Sequence, residues 1–218
     1  MSFDKLVAAA LDLVPDTGRA VLGIAGAPGS GKTTLAEALV TRIAAALGPD
    51  VVAHVPMDGF HLADVQLERL GLRDRKGAPE TFDAAGYAAL LRRLRTDADR
   101  PVYAPGFERT LEQPIAGAVV VTPTVRLVVT EGNYLLLDRP EWRSVRSELD
   151  QVWWVETDDA TRLRRLTDRH IRFGKRPDLA AAWVAEVDEV NTALVRAHRE
   201  PPDRVVVGVA DSWLLADL

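Results

Sequence analysis

The octet Gly26-Ala27-Pro28-Gly29-Ser30-Gly31-Lys32-Thr33 constrains this chain more than any other stretch. It satisfies the spacing G-x-x-x-x-G-K-[ST], and its flanks supply the context that spacing needs. An apolar run, Val21 to Ala25, precedes it as a buried strand does. Residues 32–47 follow, with Leu35, Leu39, Ile43 and Ala46 recurring at helical steps. Glycines let backbone fold around phosphate oxygens, amides at a helix start point at negative charge, and Lys32 adds a mobile cation. Gly26 to Thr34 is therefore the expected cradle of a nucleoside triphosphate, with the Thr33 hydroxyl offered to Mg²⁺. A chance glycine-rich turn does not come with a strand before it and a helix after it.

Composition removes several other classes. With 27 Lys and Arg against 32 Asp and Glu, the net charge of −5 argues against non-specific nucleic-acid binding. Cysteine is absent, which excludes disulfides, a thiol nucleophile and Cys-ligated zinc. No apolar run approaches the ~20 residues that span a bilayer, so no membrane partner is expected. The first residues read as an amphipathic helix (Phe3, Leu6, Val7, Ala10, Leu11 and Val14 on one face), without the form of a signal peptide. The cytoplasm is the expected compartment. With no repeat and no dividing linker, residues 1–218 are expected to form one domain; a homodimer is compatible with that.

Along the chain, strands are expected at Val51–Val55, Val125–Thr130, Val152–Val155 and Arg204–Val207. Helices are expected from an N-cap at Asp83 through Leu94, over Pro140–Leu149, and over 159–173 and 178–199. The segment Pro101 to Arg109 is too rich in Pro and Gly for a central strand. Strands alternating with helices predict an α/β fold with a parallel sheet covered on both faces.

Ligands of such sheets gather at the carboxyl ends of the strands. Asp58 follows the second strand and is the expected general base toward an attacking hydroxyl; Glu131 follows the Val125 strand and suits either Mg²⁺ or an acceptor hydroxyl. Between Thr161 and Arg176 lie seven Lys or Arg and one acid, with Arg162, Arg165, Arg169, Arg172 and Arg176 on one helical face. Guanidiniums so crowded repel each other unless an anion lies opposite, which predicts an Arg-rich lid over about 159–180 closing on the triphosphate. Arg162 and Arg169 are the expected catalytic arginines beside Lys32, and Arg165 a further phosphate contact. Lys76, Tyr103, Arg109 and Asn133 are expected to line the acceptor pocket, Tyr103 from a rigid loop. Trp153, Trp154 and Trp183 read as core, and His54 as a buried, satisfied histidine.

The order of these pieces resembles the phosphoribulokinase/uridine kinase family, together with bacterial pantothenate kinase. The resemblance is carried by Gly26–Thr34, Met57-Asp58-Gly59-Phe60, Arg75-Lys76-Gly77 through Phe82-Asp83, Pro101-Val102-Tyr103, Glu131-Gly132-Asn133-Tyr134, and Asp158 with Thr161-Arg162-Leu163. It implies a P-loop NTPase fold with a five-stranded parallel sheet, and ATP-dependent phosphorylation of a small molecule's hydroxyl. It also implies Asp58 as base, Lys32 and the lid arginines on the phosphates, and Mg²⁺ near Thr33. The histidines that uridine and pantothenate kinases carry just past the tyrosine are replaced here by Phe107-Glu108-Arg109 and Pro105, so the acceptor does not transfer. The competing expectation is a P-loop ATPase working with a protein partner.

Overall fold

The apolar runs and helical repeats sort into a central sheet with helices on both faces in the computed structural model, which describes residues 3–209 and 212–216. The expected domain of 1–218 thus includes a few residues outside those described. Strands β1 (Ala20–Gly26), β2 (Val52–His54), β5 (Leu127–Gly132), β6 (Gln151–Glu156) and β7 (Arg204–Val209) run parallel in the order β2-β5-β1-β6-β7. These are the five expected strands. A sixth, β8 (Ser212–Leu215), was not expected; it folds back antiparallel on β7 and closes that edge.

Strand parity divides the core. Leu22, Ile24, Trp153 and Val155 face helices α1 (Phe3–Leu11) and α2 (Lys32–Leu47). Val21, Ala25, Val152 and Trp154 face α4 (Ala84–Thr96), which follows the short α3 (Asp64–Leu70), and α5 (Pro140–Arg146). Adjacent tryptophans on one strand therefore serve opposite layers, each worth at least ~3 kcal/mol of burial. His54, expected to be satisfied, lies half-buried on the edge strand β2, and its Nε2 has no partner among the described residues. Burial holds its pKa below the usual imidazole range.

The Pro- and Gly-rich segment does stay out of the central sheet. It is β3 (Val102–Glu108), paired antiparallel with β4 (Gln113–Val121) in a separate hairpin, and β4 was not expected. Parity also decides Tyr103. Val102 and Ala104 go into the core, so Tyr103 between them points outward and is 61% exposed.

Past β6, helix α6 (Asp159–Arg172) opens on Asp158, whose side chain accepts from Thr161 N. The expected long helix after it is broken into α7 (Pro177–Trp183), a π turn (Val184–Asp188) and α8 (Glu189–Ala197). Among the described residues, no helix is long and apolar enough to cross a membrane.

Candidate active site

The loop after β1 wraps tightly because α6 presses on it. Gly29 has φ 77°, and a Cβ there would meet Leu166 Cγ at 2.7 Å and the Arg162 carbonyl oxygen at 2.8 Å. Only glycine meets both demands. The Lys32 ammonium folds back and donates to the Ala27 carbonyl at 3.0 Å, and the Ser30 hydroxyl is buried with no partner among the described residues. A concave backbone at the start of a 16-residue helix, with a loose cation and an orphaned hydroxyl, fits a polyphosphate. Burial lowers the Lys32 pKa to about 8 against the opposing pull of Glu131 and Asp58.

Asp58 stands on the short turn Met57–Phe60 beyond β2. A Cβ on the next residue, Gly59, would fall on the Pro105 carbonyl, so this turn can lie flat under β3 only with glycine there. The two Asp58 oxygens differ. Arg109 Nη2 donates to Oδ2, whereas Oδ1 accepts no hydrogen bond from the described residues and lies 3.9 Å from His61 Nε2. Burial pushes the Asp58 carboxyl up, but Arg109, His61 and Arg169 together outweigh it and hold it below the usual carboxylate range.

Glu131, at the end of β5, is 4% exposed and accepts from the Thr33 hydroxyl at 3.2 Å. Burial, reinforced by Asp58, raises its pKa to about 7, with Lys32 and Arg109 pulling the other way. A linkage follows. Between pH 4.5 and 7 the folded chain keeps a proton on Glu131 that the unfolded chain has lost, so this group's contribution to stability falls as pH rises. For Lys32 the unfolded chain holds the extra proton between pH 8 and 10.5, so its contribution rises with pH. In thermal melts of the nucleotide-free protein, the Tm of Glu131→Gln minus that of the parent should therefore climb steadily from pH 5 to pH 7.5. A difference that is flat across this range contradicts the raised Glu131 pKa.

Pro28, Gly29, Lys32, Thr33, Asp58, Lys76, Arg109, Glu131, Asn133 and Arg169 all line one cavity of about 240 Å³. All ten were expected from the sequence. Gly26, Ala27, Ser30 and Gly31 form the loop behind it, and Thr34 is exposed on the first turn of α2. Lys76 is already engaged, donating to Asp64 Oδ1 at 2.8 Å and to the Glu112 carbonyl.

Three expected residues lie elsewhere. Tyr103 points away from the cavity, as the parity of β3 requires. Arg162 is 0% exposed; its guanidinium donates to Asp159 Oδ1, Thr192 Oγ1 and the Pro28 carbonyl and pairs with Glu189 at 2.6 Å. It lies beneath the loop because Leu166, one turn on, packs the same side of α6 into the core. Arg165 Nη1 approaches Gly31, to 3.3 Å of a Cβ built there, and does not line the cavity.

The cavity also holds residues for which the sequence suggests no site role. His61 and Phe107 come from the segments carrying Asp58 and Arg109, and Arg109 lies over the Phe107 ring at 4.9 Å. The far wall is Trp183, Asn191 and the pair His170 Nε2–Asp188 Oδ2 at 2.8 Å. Trp183, expected in the core, is half-buried at this wall with Lys175 over its ring. The π turn, which residue spacing does not reveal, brings Asp188 here.

No family model matches the chain. It is 32% identical over 211 residues to a Schizosaccharomyces pombe protein named "Putative uridine kinase", covering 94% of this chain and 90% of that protein. To the Aspergillus versicolor "ATP-dependent kinase-like protein notR'" it is 35% identical, over 70% of this chain and 94% of the relative. Its fold superposes on the crystal structure of a "putative fructose transport system kinase" from Silicibacter sp. TM1040 with a TM-score of 0.85 and 37% identity, over 96% of this chain and all of the other. Identity of this extent over nearly full lengths, on a shared nucleotide loop and sheet, has one meaning: the chain belongs to the uridine kinase-like family of P-loop kinases.

Proposed function

We propose that the protein transfers the γ-phosphoryl group of ATP to a hydroxyl of a small molecule, with Asp58 as the general base. The reading is carried by the asymmetry of Asp58. One oxygen is held by Arg109 and the other is open, in the same cavity as Lys32 and Arg169. Asp58 Oδ1 takes the hydroxyl proton as the acceptor oxygen bonds to γ-phosphorus, and the bond from that phosphorus to the β–γ bridging oxygen breaks to release ADP. Arg109 fixes the carboxylate and keeps it ionised. Lys32 leaves the Ala27 carbonyl for the phosphates, whose charge restores its ordinary pKa, and Arg169 faces the transferring group. Thr33 and Glu131 are the residues that would hold Mg²⁺, which when bound offsets charge on the phosphate oxygens.

The decisive experiment measures ADP release with a panel of sugars, nucleosides and vitamins as acceptors. Release that depends on an added acceptor is expected; hydrolysis indifferent to every acceptor refutes the reading. Arg169→Ala should lower turnover by about 10²-fold, the typical loss of one preorganised charge contact, while the acceptor KM changes less than about threefold. Parent-like turnover in this variant removes Arg169 from the chemistry.

A further inference from the structure

The proposed kinase reaction gives no task to His61, which lines the same cavity as Asp58. We propose that His61 selects the acceptor by donating from Nε2 to an oxygen on the carbon next to the phosphorylated one. The acceptor class is then a molecule with oxygens on adjacent carbons, a 1,2-diol or vicinal polyol. This inference rests on the kinase reading and narrows it.

The geometry carries it. His61 lines the cavity, and its ring is stacked on Phe82 at 3.9 Å between centroids and flanked by Phe107 at 5.1 Å. A backbone bridge between His61 and Phe82 fixes the same residue from behind. The ring therefore has little freedom to turn. Nε2 lies 3.9 Å from Asp58 Oδ1, too far for a hydrogen bond between them. Two oxygens on adjacent carbons span such a gap, one against Oδ1 and its neighbour against Nε2.

Burial keeps the imidazole neutral, with a pKa of about 4 despite the raising influence of Asp58; Lys76 and Arg109 also oppose its charging. One ring nitrogen thus carries the proton. Nδ1 is buried with no partner among the described residues. An orphaned N–H costs more than an orphaned lone pair, so the proton belongs on Nε2, which makes it a donor toward the acceptor. The assignment of roles is complementary: Oδ1 can only accept, and Nε2–H can only donate.

The test takes as probes D-ribose, D-fructose, erythritol and D-glycerate, beside the monohydric alcohols 1-propanol and 1-butanol, which carry no second oxygen. The parent should phosphorylate at least one of the vicinal compounds and neither monohydric one. In His61→Phe, kcat/KM for that acceptor should fall on the order of 10²-fold, mostly through KM, with the KM for ATP unchanged. His61→Gln keeps an N–H near the Nε2 position and should recover most of the loss; it also guards against a Phe variant that folds poorly. Imidazole ¹⁵N NMR of the parent supplies a readout apart from turnover, since only the His61 Nε2–H signal should move when the acceptor is added. Several outcomes overturn the proposal: unchanged KM in both variants, a static His61 signal, or monohydric alcohols accepted as well as polyols. In that last case the kinase reading stands alone. Release supported only by an acceptor of the wider panel that lacks oxygens on adjacent carbons removes this inference alone; no acceptor-dependent release with the whole panel removes the kinase reading with it.

Discussion

Replacing Asp58 by asparagine is expected to lower turnover at least about 10³-fold and to leave ATP affinity within about threefold. The substitution keeps the shape of the side chain and one oxygen for Arg109, but an amide cannot take a proton from an alcohol. A base of this kind accounts for ~10²–10⁴ in rate, and neither Glu131 nor His61 replaces it: Glu131 is turned to Thr33 and is half-protonated near pH 7, and His61 is neutral with its lone pair buried. The pH profile gives a second check. Because the charges beside Asp58, Arg109 first, outweigh burial and hold its pKa below the usual range, the base stays ionised through neutrality, and the limb it sets in kcat at saturating ATP should lie on the acid side. Removing the opposing charge with Arg109→Gln leaves burial to dominate, so that acid limb should move to higher pH. Turnover of Asp58→Asn within tenfold of the parent, or an acid limb that ignores Arg109, assigns the base elsewhere.

The parts of this site legible in the sequence are those governed by short-range rules. The nucleotide loop was visible because strand, glycines, lysine and helix are contiguous. Asp58 and Glu131 were visible because each ends an apolar run, and the strand ends of a parallel sheet share an edge. Periodicity separates faces without saying which face turns inward. It grouped Arg162 with Arg169, yet Leu166 draws the Arg162 side under the loop, and the partners waiting there, Thr192 and Glu189, are about 30 residues away in sequence. Tyr103 went astray for a different reason. Read as part of a rigid loop, it carried no parity; read as a strand, Val102-Tyr103-Ala104 alternates and sends the ring outward. His61 adjoins the Asp-Gly-Phe piece, but only the Phe82 stack and the 3.9 Å separation from Asp58 distinguish it from a packing residue.

Arg162 gives the other large effect, on stability rather than on chemistry. Its guanidinium is 0% exposed and ties Asp159, Glu189 and Thr192 to the Pro28 carbonyl of the nucleotide loop. Arg162→Met fills most of the volume but leaves Glu189, Thr192 and the Pro28 carbonyl without the guanidinium, while Asp159 keeps its pair with Arg196. Both carboxylates reach solvent, so the cost lies at the lower end of the ~3–5 kcal/mol for breaking a buried ion pair from one side. For a chain of 218 residues that corresponds to a Tm lower by on the order of 10 °C. The loop also loses a tether, so the KM for ATP should rise, by about tenfold, at temperatures where the variant is still folded. Arg169→Ala is the control: it lines the cavity, and its Tm should stay within about 2 °C of the parent while turnover falls. The two arginines, seven residues apart on one helix, are thus expected to fail in opposite ways. An Arg162→Met protein that melts like the parent yet turns over 10³-fold more slowly reverses the assignment, because the guanidinium then acts on phosphate in the working enzyme and not beneath the loop.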